Sequence, residues 1–496
     1  SHQIWDDLVE IVERLARFVE DGRQKAKYLM TAAMVNARHL TRRDKAIDFY
    51  QQVLALDPDN AKALSELVVL QIEHGDFVGA EESLVRQLEK ARDNGEKRAE
   101  LDVLDALSRL YMRMPDRLDE TVLVLEQAAE LEPGKAEYRT ALNELYERDL
   151  NKYGEQAVAA QMAILRREPD RADAYRKLRR IYTETRRADA AWCLCQVLSL
   201  LRLAEADEVR FFERVRSSTP AVAQTVIDES DWIQLLTHPD VDPRLTLIFS
   251  LIEPVIVAAR SQPSEALGYD PRLAVDLSQH PYPLGHMLYY AGGVMGIRTP
   301  PTFENHREPG GLLFLNSQPP AIVLGVSALQ MQIPAQTAAF VAARQLCYFR
   351  PGFYVRRLVA STTALKAWLF GAFKLCTPGF PIAQELEGPV LEARQALDVH
   401  LVSEQKDRLV DVITKLLHTS PAIDLKQWVT GVDLTADRIG LVLANDLKSV
   451  VDIIKSVEDA ASPPRDRRLQ ELVLYAISEQ FFTIRRRLGV AIESLA

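Results

Sequence analysis

Through the first two hundred residues, apolar positions recur every three or four residues, the period of a helix that buries one face. The stretch Ala61–Ile72 carries Leu64, Leu67, Val68 and Gln71 at i, i+3, i+4, i+7 spacing, with Gln71 the one polar member. Beyond about residue 288 the pattern shortens. Gly311–Asn316 and Pro320–Gly325 are short apolar runs separated by Ser317-Gln-Pro319, which predicts two strands joined as a hairpin. From Pro334 onward helix-type spacing returns, with breaks expected at Pro351-Gly, Pro378-Gly and Pro421. The expectation is therefore a mostly α protein whose second half holds a small β-hairpin.

The helical region repeats itself. Ala46 is followed twelve positions later by Pro58, Thr121 by Pro133, and Ala157 by Pro169, each pair closing an apolar-periodic run. Ala80 lies 34 residues after Ala46, and Ala190 lies 33 after Ala157. A small residue lets two helix backbones approach, and a proline that cannot continue the helix forces the turn to the next unit. Gly75 suits the break between the two helices of a unit. The period and the pattern resemble the tetratricopeptide repeat, a stacked helix pair of about 34 residues. Five units are expected, at 25–60, 61–97, 98–135, 136–171 and 172–205, preceded by a capping helix. The third is irregular, with Thr121 at the small-residue position. The resemblance implies a helical solenoid whose groove binds a partner protein.

Composition changes near Arg216-Ser-Ser-Thr-Pro220, after which proline and glycine become frequent. This predicts a repeat domain over 1–215 and a second, α-rich domain over 216–496. The net charge of −10 disfavours binding to a phosphate backbone. No run approaches the roughly 18 consecutive apolar residues of a membrane span. The four cysteines, Cys193, Cys195, Cys347 and Cys376, lack the spacing of a zinc site or a disulfide framework. They read as buried thiols in a reducing, cytoplasmic compartment. The opening Ser1-His2 reads as a remnant of cloning, which places the native start upstream.

In the second half, a hairpin precedes a helix containing Phe340-Val-Ala-Ala-Arg-Gln-Leu, and a later segment reads Asp433-Leu-Thr-Ala-Asp437. This order resembles the gluzincin zinc peptidases of the HtpX type, in which a strand is followed by a helix bearing H-E-x-x-H and a later helix bearing E-x-x-x-D. In that resemblance Arg344 and Tyr348 take the two histidine positions and Gln345 the general-base position. Asp433 takes the position of the ligand glutamate and Asp437 that of the aspartate after it. None of these residues follows the motif. An arginine stays protonated and cannot ligate zinc, and Gln345 has no carboxylate to accept a proton. The resemblance thus implies a metal-free, catalytically dead peptidase fold, with no cofactor and no catalytic residues. Arg344 facing Asp433 or Asp437 is expected to replace the metal by an ion pair, with Gly440 admitting close helix contact. The alternative reading is an unrelated helical domain in which Asp433 is a helix N-cap.

Other candidate chemistry is sparse. No two of the nine histidines sit at i, i+4, and His280 and His286 flank a proline-rich loop. The basic clusters Arg465–Arg468 and Arg485–Arg487 are expected on solvated helix faces. The sequence supports a non-catalytic protein-binding scaffold. The alternative is a hydrolase whose repeats recruit a protein substrate.

Overall fold

The computed structural model describes every residue except Ser1, Asp59, Ser218, Ala360, 420–422, 458–461 and 494–496, and of His2 only the backbone. The expected break at Pro421 lies outside the described residues. Among the described residues the structure is mostly helical, 70% helix in 24 helices, beside one small sheet. The chain folds into two compact units, Ser1–Ala160 and Gln161–Ala496.

The first unit is a run of helix pairs. The helix His2–Phe18 packs against Gly22–Arg38 as the expected cap, and Trp5 stacks on His39 with ring centroids 3.9 Å apart. Gly22–Arg38 pairs with Arg43–Leu56, Ala61–His74 with Phe77–Asp93, and Lys97–Tyr111 with Leu118–Leu131. Ala136–Tyr146 precedes Leu150–Arg167, which runs across the division between the units. The small residues sit where the repeat pattern needs them: Ala46 and Ala80 are fully buried. Leu67, Val68 and Gln71 are buried on one face of their helix. Gly75 closes that helix in the left-handed region at φ 84°, where a side chain would be strained. Thr121, the irregular member, is buried and returns its hydroxyl to Arg117 O at 2.6 Å. Its polar group is thereby satisfied inside the helix.

The second unit begins with the fifth helix pair, Ala172–Glu184 and Ala188–Leu200. All residues of Ala188–Leu198 except Asp189 are buried, the signature of a core helix rather than a surface one. Its neighbours explain this. Asp189 receives the guanidinium of Arg485 at 2.8 Å, and Gln196 accepts from Leu447 N at 3.0 Å. The contact density therefore divides the chain at 160/161, whereas composition changes near 216.

Deeper in this unit, Ala335–Cys347 packs against Leu425–Ala444 on one side and Pro283–Met295 on the other. The Leu425–Ala444 helix is capped by Asp424, which accepts from Gln427 N, and is buried nearly all round from Gly431 to Ala444. Asp433 is thus a mid-helix residue and not an N-cap. Pro283 opens its helix at the position where a missing N–H costs nothing.

The expected hairpin is present. Strand β2 (Leu312–Leu315) pairs antiparallel with β3 (Ala321–Gly325), with Phe314 opposite Ile322. A further strand, β1 (Thr302–Asn305), pairs parallel with β3 to give the order β1-β3-β2. Every residue of β3 is buried, as suits a central strand, and Phe314 of β2 rests against Tyr348.

Candidate functional site

Four of the five residues singled out in the second half, Arg344, Tyr348, Asp433 and Asp437, meet at the crossing of Ala335–Cys347 with Leu425–Ala444, and Gln345 does not join them. The crossing is close because Gly440 faces Phe340. A Cβ on Gly440 would lie 2.5 Å from Phe340 Cδ2 and 3.2 Å from its carbonyl oxygen. Alanines 338, 339, 342 and 343 line the opposing helix and keep it thin.

At this crossing Arg344 donates from Nε to Asp437 Oδ1 at 2.8 Å. The pair is buried, with side chains 7% and 0% exposed. Asp437 is also gripped by Arg468, whose Nε and Nη2 reach its two oxygens at 2.7 Å each. Arg344 extends further to Ser462 Oγ at 2.8 Å. One turn earlier, Asp433 accepts the Tyr348 hydroxyl at 2.7 Å and Arg356 at 2.9 Å. Two buried carboxylates are thus held by three guanidiniums and a phenol. Such an arrangement tolerates desolvation because each charge meets its partner in bonding geometry.

The electrostatics follow from burial. Burial raises the Asp433 carboxyl, opposed by the Arg356 and Arg344 guanidiniums and the Tyr348 hydroxyl. The phenol of Tyr348 is pushed up, chiefly by burial, and it serves as a hydrogen-bond donor. Cys347, buried beside these groups, has its thiol pushed up to about 12. Gln345 makes no bond in this network, and among the described residues its buried Oε1 has no hydrogen-bond partner.

Arg356, Arg468 and Ser462 were not foreseen. Arg468 had been expected on a solvated face, yet it is 6% exposed; the expectation for Arg485 is corrected in the same way, at 1%. Each is drawn inward by a carboxylate: Arg468 shares Asp437 with Arg344, and Arg485 holds Asp189. The signal available for Arg356 and Arg468 was the pair of aspartates in the largely apolar stretch Gly431–Ala444, which calls for cations from elsewhere.

The donor set at the crossing does not suit zinc. A guanidinium carries no lone pair for a metal at any ordinary pH, and both carboxylates are already engaged. Among the described residues no group of three or more His, Cys, Asp or Glu side chains gathers. His280 instead pairs with Glu304 at 3.1 Å.

A second feature lies in the repeats. A groove of about 850 Å³ runs between the helices Ala61–His74 and Lys97–Tyr111. Its apolar floor includes Leu64, Val68 and Val103, with Arg109 and Arg113 at its side. Val69, half-exposed, projects along it.

No curated protein matches this chain. Residues 40–101 match the sequence model of the tetratricopeptide repeat, the segment that contains Ala46, Pro58, Gly75 and Ala80 and one wall of the groove.

Proposed function

We propose that this protein is a non-catalytic scaffold or adaptor that captures a partner protein in the groove of its repeats. Tetratricopeptide repeats point to protein–protein interaction in general. The observation that carries the finer reading is the groove itself, whose apolar floor is drawn from the helices Ala61–His74 and Lys97–Tyr111 and whose sides carry Arg109 and Arg113 beside Glu73, Glu96 and Asp102. The region 216–496 is, on this reading, a peptidase-like fold that has exchanged metal chemistry for internal ion pairing. Its support is the residue set: Arg344, Gln345 and Tyr348 where ligands and base would stand, and Asp433 and Asp437 tied to arginines.

The test uses the full chain as bait, beside a variant carrying Val69→Glu and Arg109→Glu, both exposed positions whose change leaves the core intact. A partner captured by the wild type and lost by the variant supports the reading. A partner retained equally by both overturns it.

A further inference from the structure

We propose that the cavity beside the Arg344–Asp437–Arg468 network is a binding site for an amphipathic carboxylate with a single hydrocarbon chain. The cavity has a volume of about 480 Å³ and lies between strand β2 and the helices Ala335–Cys347 and Leu447–Ser456. Leu312, Val341, Ile453 and Ile454 form its apolar walls. The charged side chains among its described lining residues are Arg344 and Arg468, both cationic. Asp437, which pairs with them, is fully buried behind and contributes no surface to the cavity. The cavity therefore combines a hydrocarbon wall with the guanidinium of Arg468 at one end.

Three observations select the ligand class. Arg468 spends Nε and Nη2 side-on against Asp437, which leaves its other Nη nitrogen for a second acceptor. That single donor edge suits a monoanion, whereas a phosphate dianion calls for more donors than converge here. Gln345 also lines the cavity; its Oε1 is buried, without a partner among the described residues, and is an acceptor that a carboxylate cannot satisfy, so only the amide Nε2 can donate to such a ligand. The polar groups that can fix a carboxylate here are therefore donors, an amide and a guanidinium, few in number as in ligand sites that orient a molecule in an apolar chamber. Finally, the volume stands at the small end of the roughly 300–1,000 Å³ usual for ligand sites, which admits one acyl chain and not a two-chain lipid. The inference is independent of what the repeat groove binds.

Titration calorimetry of the full chain with decanoate, decanol and decyl phosphate tests it. Decanoate is expected to bind saturably at one per chain, with decanol and decyl phosphate at least about tenfold weaker. Val341→Trp fills the cavity from a half-buried position without touching the ion pairs and should abolish decanoate binding while the thermal unfolding midpoint is kept. Arg468→Met should weaken decanoate about 10- to 100-fold, the worth of one charge-assisted hydrogen bond, and leave decanol unchanged. Equal affinity for decanoate and decanol, stronger binding of decyl phosphate, non-saturating uptake, or undiminished binding by Val341→Trp would each overturn the proposal.

Discussion

Arg344 and Asp437 lie 93 residues apart in sequence and meet at 2.8 Å, joining the Ala335–Cys347 helix to the Leu425–Ala444 helix through the interior. The pair is unequal in its dependencies. Asp437 is held by Arg468 as well as by Arg344, so the carboxylate is the hub and each arginine a spoke.

That asymmetry fixes the first prediction. Asp437→Ala leaves two guanidiniums buried side by side with their shared anion gone, and should destabilise by about 3–5 kcal/mol. Arg344→Met leaves Asp437 with its two-point contact to Arg468 and should cost less, about 1–3 kcal/mol. Urea denaturation of the two variants measures the order. An Arg344→Met variant as unstable as Asp437→Ala would remove the hub from the description.

Gly440 gives the second prediction. In an exposed helix, Gly→Ala gains about 1 kcal/mol from propensity. Here the added methyl meets Phe340 at 2.5 Å, with backbone at 3.2 Å behind it, so the helices must separate. Gly440→Ala should therefore destabilise by about 1–3 kcal/mol. Phe340→Leu in the same chain should recover part of that loss, because the contact is with the ring. A stabilised Gly440→Ala variant would contradict the close crossing.

How much of this was legible in the sequence depends on whether the information was local. The repeats were, because Ala46–Pro58 spacing recurs and each recurrence confirms the others. The hairpin was, because two apolar runs flank one turn. Strand β1 was not: Thr302–Asn305 offers one large apolar residue in four, and its partner Ile322 stands 20 positions onward in a parallel register. Arg344 facing Asp437 was legible once both helices were placed, since each residue has a fixed position on its own helix. Arg356 and Arg468 were not, because they enter from segments whose approach no periodicity encodes. The burial of Arg485 against Asp189, 296 residues apart, was hidden for the same reason.

The fifth helix pair gives the third prediction. A fragment cut at residue 215 keeps Ala188–Leu200 but loses Arg485 and Leu447, leaving Trp192, Leu194 and Val197 without their cover. A fragment ending at Gly134 keeps the cap and three complete pairs, which lean only on their neighbours, and stops before both the fourth pair and this core helix. We expect the 1–134 fragment to be soluble, monomeric and helical by circular dichroism, and the 1–215 fragment to associate or precipitate. Light scattering separates the two outcomes. A monomeric, cooperative 1–215 fragment would show that composition near residue 216 marks the independent folding unit after all.

The last prediction concerns pH. Glu253 accepts the Tyr354 backbone N–H at 3.1 Å, in a loop where Gly352 sits at φ 83°. Burial raises its carboxyl from 4.5 to about 7, and the N–H groups of Val355, Tyr354 and Gly352 partly oppose that shift. A carboxyl whose folded pKa lies above its unfolded value binds more protons in the folded state. Its contribution to stability is therefore fully present below about pH 4.5 and is lost as pH rises through about 7. A shift of this size corresponds to about 3 kcal/mol across that window. Glu253→Gln keeps a carbonyl oxygen for the loop N–H groups and removes the titration. Its stability relative to wild type should accordingly be near zero or slightly negative at pH 4.5 and should rise by about 3 kcal/mol by pH 8. Other groups titrate over the same range, so the difference between the two proteins, measured by urea denaturation at both pH values, is the readout. A difference that stays flat between pH 4.5 and 8 would show that the loop amides hold Glu253 ionised as readily as water does.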